Sequence, residues 1–255
     1  PDYVHRVLTG KLTDKETRRI GFPWSEAMVE RSLRSVGATL SAADAALKYG
    51  LGINLAGGTH HGFSDRGEGF CVFNDVVVAA RHIQNQHPKA KILIIDCDVH
   101  QGNGTAAMTE HIDSIFTFSI HGAKNFPYHK YPSDLDIALA DGTGDDEYLS
   151  ALEEALQNIA ARFEPDLVFY LAGADPYMHD RFGRLGLSKN GLKERDHCVF
   201  AWCEGHQIPL AITMAGGYAK QIDDIVEIHV ATIESALNQF RFDSVPAHPR
   251  SLQCS

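Results

Sequence analysis

The sharpest chemical feature of this 255-residue sequence is the pair Asp98 and His100, at the end of an apolar run over 91–97. Side chains alternate along a strand, so positions two residues apart point the same way, and a carboxylate and an imidazole would face one point. Both groups are common zinc ligands. Asp175 follows another apolar run and could supply a third ligand. Three protein ligands with an open fourth position are typical of a catalytic metal site.

Two adjacent histidines, His60 and His61, follow the glycines at 57–58, after another apolar run. Consecutive residues of an extended chain point to opposite sides, so both rings cannot readily bind one ion, but a sharp turn could direct both into a cleft. A buried histidine needs a partner that fixes its tautomer. Asp96 is the candidate partner for His60, because it lies two positions before Asp98.

Tyr218 follows Gly216 and Gly217 at the end of the last apolar run. Glycines allow a sharp backbone turn, which could bring the phenol to the same place as the other polar segments. There it could donate a hydrogen bond to a carbonyl oxygen as negative charge develops. In open parallel sheets, ligands bind outside the carboxyl ends of the strands. Five apolar runs that end in small or polar residues therefore predict one site at one rim of a sheet.

Apolar runs alternate with amphipathic stretches after an opening segment, which predicts a single-domain, three-layer α/β/α fold with a central, mainly parallel sheet. The runs are apolar at both odd and even positions, as expected of strands whose two faces are both buried. Predicted strands span 50–56, 91–97, 115–120, 166–172 and 209–214. Predicted helices span 74–86, 145–163, 188–206 and 221–240. We expect one domain over 1–242 and an irregular tail over 243–255.

The composition is globular, with 44% hydrophobic and 22% charged residues. Apolar runs are shorter than the roughly 20 residues of a membrane helix, and no signal peptide is recognisable, so we expect a cytoplasmic protein that does not contact membranes. Five scattered cysteines suit a reducing compartment. A net charge of −10 argues against nucleic-acid binding and is compatible with cationic substrates such as lysine-rich tails or polyamines.

The polar segments resemble the motifs of the zinc-dependent histone deacetylase family, within the arginase/deacetylase superfamily. The matching segments, in the family's order, are 57–61 (GGTHH), 69–71 (GFC), 96–104 (DCDVHQGNG), 172–176 (AGADP) and 216–218 (GGY). The segments 1–4, 18–25 and 141–146 are similar to the small class IV-like branch. The resemblance covers nearly the whole chain and implies that residues 1–242 form a catalytic domain.

This resemblance implies a metal-dependent amidohydrolase that removes acetyl or longer acyl groups from acylated lysine in proteins or peptides, or from acylated small amines. Asp98, His100 and Asp175 would hold one Zn²⁺ per chain, and Fe²⁺ suits the same ligands. His61 would be the general base and then the acid that protonates the leaving amine. His60, oriented by Asp96, would assist electrostatically.

Further family residues would complete the site. Tyr218 would donate to the developing oxyanion, and Asn103 would be the partner of His61. Gly69 and Phe70 would form one wall of a narrow channel for the apolar stem of the substrate. The second aromatic wall should lie in 121–131, as either Phe126 or Tyr128.

Two departures from the better-known family members affect these expectations. Class I members carry an aspartate where this chain has Asn103, so His61 should be less basic here than in those members. Family members also usually have an initial strand and a rim loop before the segment with which this sequence begins. We therefore expect either a truncated sequence or a differently built mouth of the channel.

Three alternatives remain at the level of sequence. A binuclear manganese ureohydrolase would need an aspartate two positions after His100, where this chain has Gly102. An acetylpolyamine amidohydrolase would use the same chemistry on a different amine. An inactive acyl-lysine-binding module is disfavoured, because packing alone does not require zinc ligands together with an oxyanion donor.

Overall fold

The computed structural model describes residues 2–240. Its centre is a six-stranded sheet with the order β1-β6-β5-β2-β3-β4, and every pairing is parallel. The strands are β1 (Leu51–Asn54), β2 (Ile92–Asp96), β3 (Ile115–Gly122), β4 (Leu135–Leu139), β5 (Leu167–Leu171) and β6 (Leu210–Thr213). The helices are α1 (Asp2–Leu8), α2 (Asp14–Ile20), α3 (Glu26–Tyr49), α4 (Asp75–Gln86), α5 (Asn103–Thr109), α6 (Asp145–Arg162), α7 (Lys189–Gly205) and α8 (Ile222–Gln239).

Helices cover both faces of the sheet, which confirms the predicted three layers. One apolar cluster joins strand residues to Leu152 of α6, Val199 of α7 and Ile228 of α8. A second cluster joins the opposite faces of the strands to Ala43 of α3 and Val76 of α4. All residues of β2, β5 and β6 are buried, because these strands have helices on both sides.

The five predicted strands and four predicted helices are present, with ends that differ by one or two residues. The strand β4 was not predicted, because it lies at the sheet edge and its alternating exposure leaves a short, mixed sequence. The opening segment contains three helices, and α5 is a further short helix that the sequence pattern did not indicate. The proposed boundary at 242 and the tail over 243–255 lie outside the described residues.

Strand order places the carboxyl ends of β2 and β5 side by side at the point where the chain changes direction across the sheet. From β2 the chain continues outward through β3 to β4, whereas β5 and β6 lie on the other side of β2. A crevice at such a point is the usual ligand site of an open parallel sheet. Within residues 2–240, none of the helices has both the length and the apolar character needed to cross a membrane.

Candidate active site

The three predicted metal ligands lie together at the carboxyl ends of β2 and β5. Ligand atoms of Asp98, His100 and Asp175 all lie within 4.8 Å of one another. Nδ1 of His100 is 2.9 Å from Oδ1 of Asp98 and 3.3 Å from Oδ2 of Asp175. Backbone amides hold the carboxylates in place: Val99 donates to Asp175 Oδ1 and Gly216 donates to Asp98 Oδ2. One imidazole nitrogen and two carboxylates thus converge on one point.

This cluster fits a divalent cation. Oδ2 of Asp175 is buried and accepts no hydrogen bond from any described residue. Burial, followed by the neighbouring charge of Asp98, raises the pKa of Asp175 to about 7. Two buried carboxylates side by side are costly without a positive charge between them, and a hard or borderline cation with N/O ligands supplies it. Gly216 leaves the necessary room, because a Cβ there would lie 2.1 Å from Asp175 Oδ2.

The two histidines stand on a turn that is shaped by a buried carboxylate. Asp75, at the start of α4, accepts hydrogen bonds from the backbone amides of Gly58 and Thr59 and from the Thr59 hydroxyl. This turn brings the His60 and His61 rings onto the same side, with centroids 4.1 Å apart. Both histidines are at most 4% exposed, so their ring nitrogens depend on protein partners rather than on bulk water.

The two rings have different partners. Nδ1 of His60 lies 2.6 Å from Oδ2 of Asp96, and Nδ1 of His61 lies 2.7 Å from Oδ1 of Asn103. Burial opposes the charged form of His60, but the carboxylates of Asp96 and Asp98 outweigh it and raise its pKa to about 9. Burial and the neighbouring His60 lower the pKa of His61 well below its usual value. His60 is therefore the cation of the pair, and His61 is neutral.

Neutral His61 has a defined tautomer. Because Asn103 presents its carbonyl oxygen to Nδ1, that nitrogen carries the proton, and Nε2 keeps a free electron pair. His61 lines the same pocket as Asp98, His100 and Tyr218. A ring in this state can accept a proton from a group in the pocket.

Tyr218 borders the pocket beside the metal-ligand cluster. Its ring centroid is 6.5 Å from that of His100. The backbone is fixed on both sides: the Tyr218 amide donates to Asp180, and the Tyr218 carbonyl accepts from Arg181 Nε at 2.8 Å. Burial and the charges of Asp98 and Asp175 raise the pKa of the phenol, so it stays protonated and can act as a donor.

Phe70 and Phe126 line the same pocket as His61 and Tyr218. Phe126 packs edge-on against His61, with ring centroids 4.9 Å apart, whereas Tyr128 is 89% exposed. Of the two residues left open by the sequence, Phe126 is therefore the one that packs against His61. Gly69 has a φ of +54°, and a Cβ there would lie 2.6 Å from the His61 ring, so this position requires glycine. Phe70 also has a left-handed φ, of 65°, which turns its backbone at the pocket edge.

Sequence reasoning missed two residues that position the site. Asp75 looked like an ordinary helix-start residue, because Asn74 and Asp75 precede an apolar run, and only Asn74 caps the helix. The second is Arg195, which lies in α7 and is fully buried. Its Nη1 donates to the carbonyls of Gly173 and Cys97, the segments that carry Asp175 and Asp98. An arginine within an amphipathic helix gives no sequence signal of such a contact.

Comparisons with known proteins identify the family of this chain. Residues 1–233 match the family model described as "Histone deacetylase domain". An uncharacterised protein of Picosynechococcus sp. is 46% identical over 229 residues, which cover 90% of this chain and 76% of that protein. Histone deacetylase 2 of Arabidopsis thaliana is 34% identical over 73% of this chain and 49% of its own length. The acetoin utilization protein AcuC of Bacillus subtilis is 34% identical over 85% of this chain.

The chain thus spans about half of the Arabidopsis relative and 62% of AcuC. Among solved structures, a histone deacetylase homolog from Aquifex aeolicus has the same fold, with a TM-score of 0.80 and 22% identity. That match covers 100% of this chain and 75% of the homolog. Since the family model spans residues 1–233, almost the whole described part, the chain belongs to the histone deacetylase family.

Proposed function

We propose that this chain hydrolyses the amide bond of acylated lysine and releases a carboxylate and the free amine, with one Zn²⁺ held by Asp98, His100 and Asp175. The observation that carries the proposal is the meeting of three groups of different kinds in one pocket. Two members of the ligand cluster, Asp98 and His100, border the same space as the neutral His61 and the protonated Tyr218, and Asp175 lies directly beside them. Amide hydrolysis needs these three: an activated nucleophile, a proton carrier and an oxyanion donor.

The metal would supply a Lewis acid that polarises the amide carbonyl and brings the pKa of a water toward neutrality. The chain's own contribution is to fix the ligands. Asp98 and Asp175 each accept a hydrogen bond from a backbone amide. Arg195 donates hydrogen bonds to backbone carbonyls of the two segments that carry them. Hydrogen bonds of this kind orient the ligands before the metal binds and increase the affinity of the site for the metal.

Proton transfer falls to His61 in this proposal. Its free Nε2 takes a proton from the attacking water as the oxygen–carbon bond forms. The same nitrogen then gives that proton to the amine nitrogen as the carbon–nitrogen bond breaks. One water is consumed, the acyl group leaves as a carboxylic acid whose remaining proton passes to the released amine or to solvent, and His61 returns to its neutral state. A buried, neutral ring is suited to this cycle because it is a base at physiological pH without prior deprotonation.

His60 and Tyr218 would stabilise charges during the reaction without forming or breaking covalent bonds themselves. His60, which Asp96 favours as a cation, lies beside the ring that gains a proton, with 4.1 Å between the centroids of the two rings. That charge keeps His61 neutral before the reaction and favours release of the proton to the amine afterwards. The Tyr218 hydroxyl would donate to the carbonyl oxygen as it becomes an oxyanion.

The channel selects for an apolar stem. Phe70 and Phe126 border the space above the ligand cluster, and the methylene chain of lysine fits between aromatic rings because both are apolar. One metal is favoured over two, because within residues 2–240 only one group of potential ligands was found, and Gly102 replaces the aspartate that a second metal would need.

The first prediction tests the metal and the reaction together. Purified protein reconstituted with Zn²⁺ should hold one ion per chain, deacetylate a fluorogenic acetyl-lysine substrate and be inhibited by a hydroxamate. Asp175→Asn should lose the ion and the activity, because it removes one anionic ligand. Asp113→Asn, at an exposed aspartate outside the pocket, is the matched control and should keep both. Two ions per chain, or turnover by ion-free Asp175→Asn, would contradict the proposal.

A further inference from the structure

The mouth of the pocket carries charge of the opposite sign to the whole protein. The chain has a net charge of −10, yet the pocket is bordered by seven arginine and lysine residues and only two acids besides the ligand Asp98. The basic residues are Arg18, Arg19, Arg31, Arg34, Lys124, Arg181 and Arg184. Seven of the chain's 23 basic side chains therefore surround one opening, which solubility alone does not explain.

Four of these seven cations are not neutralised. Arg34 pairs with Glu30, and Arg184 and Lys124 share Asp141. Arg18, Arg19, Arg31 and Arg181 form no ion pair with any carboxylate of residues 2–240. All four are exposed. Their charge is therefore directed into the solvent at the opening, where a ligand would meet it.

Arg19 and Ile20, at the end of α2, are held next to Gly69 and Phe70 by backbone hydrogen bonds, and Arg18 precedes them in the same helix. The amide of Gly69 donates to the carbonyl of Arg19 at 3.2 Å, and the amide of Phe70 donates to the carbonyl of Ile20 at 2.8 Å. The end of α2 thus runs beside the wall residues. A substrate whose stem passes Phe70 must bring its remaining part close to these two guanidinium groups.

Arg31 and Arg181 approach the same opening from other elements. Arg31, on α3, lies 5.0 Å from the centre of the Phe22 ring, and Phe22 in turn contacts Phe70 at 5.3 Å between centroids. Arg181 donates to the Tyr218 carbonyl. Positive charge therefore reaches the opening from the α2 end, from α3 and from the loop beside the oxyanion donor.

We infer that the substrate is an acyl-lysine whose neighbouring residues are anionic, and that Arg18, Arg19, Arg31 and Arg181 bind those neighbours. This inference rests on the proposed deacylation and adds to it the charge of the substrate. The acylated side chain itself is neutral and enters the aromatic channel, so the charge of the flanking residues decides the electrostatic contribution to binding. Guanidinium groups match carboxylates and phosphates through paired N–H donors. Polyamines and lysine-rich tails would instead meet four like charges.

The test uses four acetyl-lysine peptides of equal length that differ only in the residues flanking the acetyl-lysine: glutamate, phosphoserine, glutamine or lysine. Full-length protein loaded with Zn²⁺ should give kcat/KM values about tenfold higher for each anionic peptide than for the glutamine peptide, and lower still for the lysine peptide. The difference should lie in KM and shrink in high salt, because exposed charges are screened. The better of the two anionic peptides identifies carboxylate or phosphate as the preferred group.

Two variants with the same change in net charge show where the preference arises. Arg18→Gln/Arg19→Gln should reduce the ratio of glutamate to glutamine peptide severalfold. Arg81→Gln/Arg162→Gln, at two arginines outside the pocket lining, should leave the ratio as in the unmodified protein. The ratio is taken within each variant, so a general loss of folding or metal cancels.

The outcomes separate the two proposals. Turnover of none of the four peptides by the zinc-loaded protein would overturn the proposed deacylation and this inference with it. Turnover of all four at equal efficiency, or a preference for lysine flanks, would leave deacylation standing and overturn the anionic substrate. An unchanged ratio in Arg18→Gln/Arg19→Gln would overturn the assignment to these arginines.

Discussion

The floor and the mouth of the pocket differ in charge, in burial and in how their residues are held. At the floor, Asp96, Asp98 and Asp175 are at most 3% exposed and are tied to backbone amides and histidines. At the mouth, arginines are exposed, and four of them have no carboxylate partner among residues 2–240. The floor is built to concentrate negative charge around a cation, whereas the mouth presents positive charge to whatever approaches.

The two regions therefore obey different electrostatics. A charge pair in a water-poor interior interacts several times more strongly than an exposed pair, but it tolerates little displacement. Exposed pairs contribute about 0.2–1 kcal/mol each and weaken in salt. Floor substitutions should consequently change catalysis by orders of magnitude, whereas mouth substitutions should change substrate preference by smaller factors. Three substitutions at or behind the floor test this difference, in decreasing order of expected effect.

His61→Ala should have the largest effect. It removes the group to which we assign both proton transfers. A positioned acid or base increases the reaction rate by about 10²–10⁴-fold. We expect kcat to fall by about 10⁴-fold, the upper end of that range, because both proton transfers are lost. The zinc content should stay at one ion per chain. His111→Ala, at an exposed histidine outside the pocket lining, is the control. A His61→Ala protein with substantial activity would place the general base elsewhere.

Tyr218→Phe should have the next largest effect. The ring and its packing remain, and only the hydroxyl is lost, so the fold and the metal content should not change. We expect kcat to fall by about 10²–10³-fold with little change in KM, because the bond strengthens as the oxyanion forms. Tyr49→Phe, which removes an exposed hydroxyl on α3, should be silent. Steady-state kinetics within a few-fold of the unmodified protein would mean that another group is the oxyanion donor.

Arg195→Lys should have the smallest effect of the three, and on metal affinity rather than on chemistry. Lysine keeps a cation beside Asp196 but lacks the planar group that reaches Gly173 and Cys97. We expect the Kd for Zn²⁺, measured against a chelator, to rise about tenfold, the lower end for residues that orient ligands. Turnover of the zinc-saturated variant should change less than the Kd.

A general loss of stability would give a different result for Arg195→Lys. The melting temperature of the metal-free protein would fall, and the Kd of the folded fraction would stay the same. Arg162→Lys, at an exposed arginine on α6, provides the control for both measurements. An unchanged Kd would show that Arg195 supports the core and does not orient the ligands.

Much of the fold could be predicted from the sequence, because parallel strands buried on two faces leave a strong local pattern. The runs that became β2 and β5 are apolar throughout and were placed to within one residue at each end. The edge strand β4 was missed for the opposite reason, since only one of its five residues is buried and its sequence is mixed. The helices of the opening segment were not predicted, because α1 and α2 have only seven residues each and α3 buries mostly small side chains towards its end.

The sequence by itself determined which side chains can take part in chemistry and where in the chain they stand: Asp98 and His100 by their spacing, His60 and His61 by adjacency, and Tyr218 by the glycines before it. Residue type and spacing are local properties of the chain, so they can be seen without the fold. Only the tertiary structure decided that Phe126 rather than Tyr128 packs against His61, that Arg195 contacts the carbonyl of Gly173, and that basic residues gather around the pocket. Each of these contacts joins residues that are far apart in the chain. Net charge and apolar periodicity are summed over many positions, so neither shows which distant residues meet.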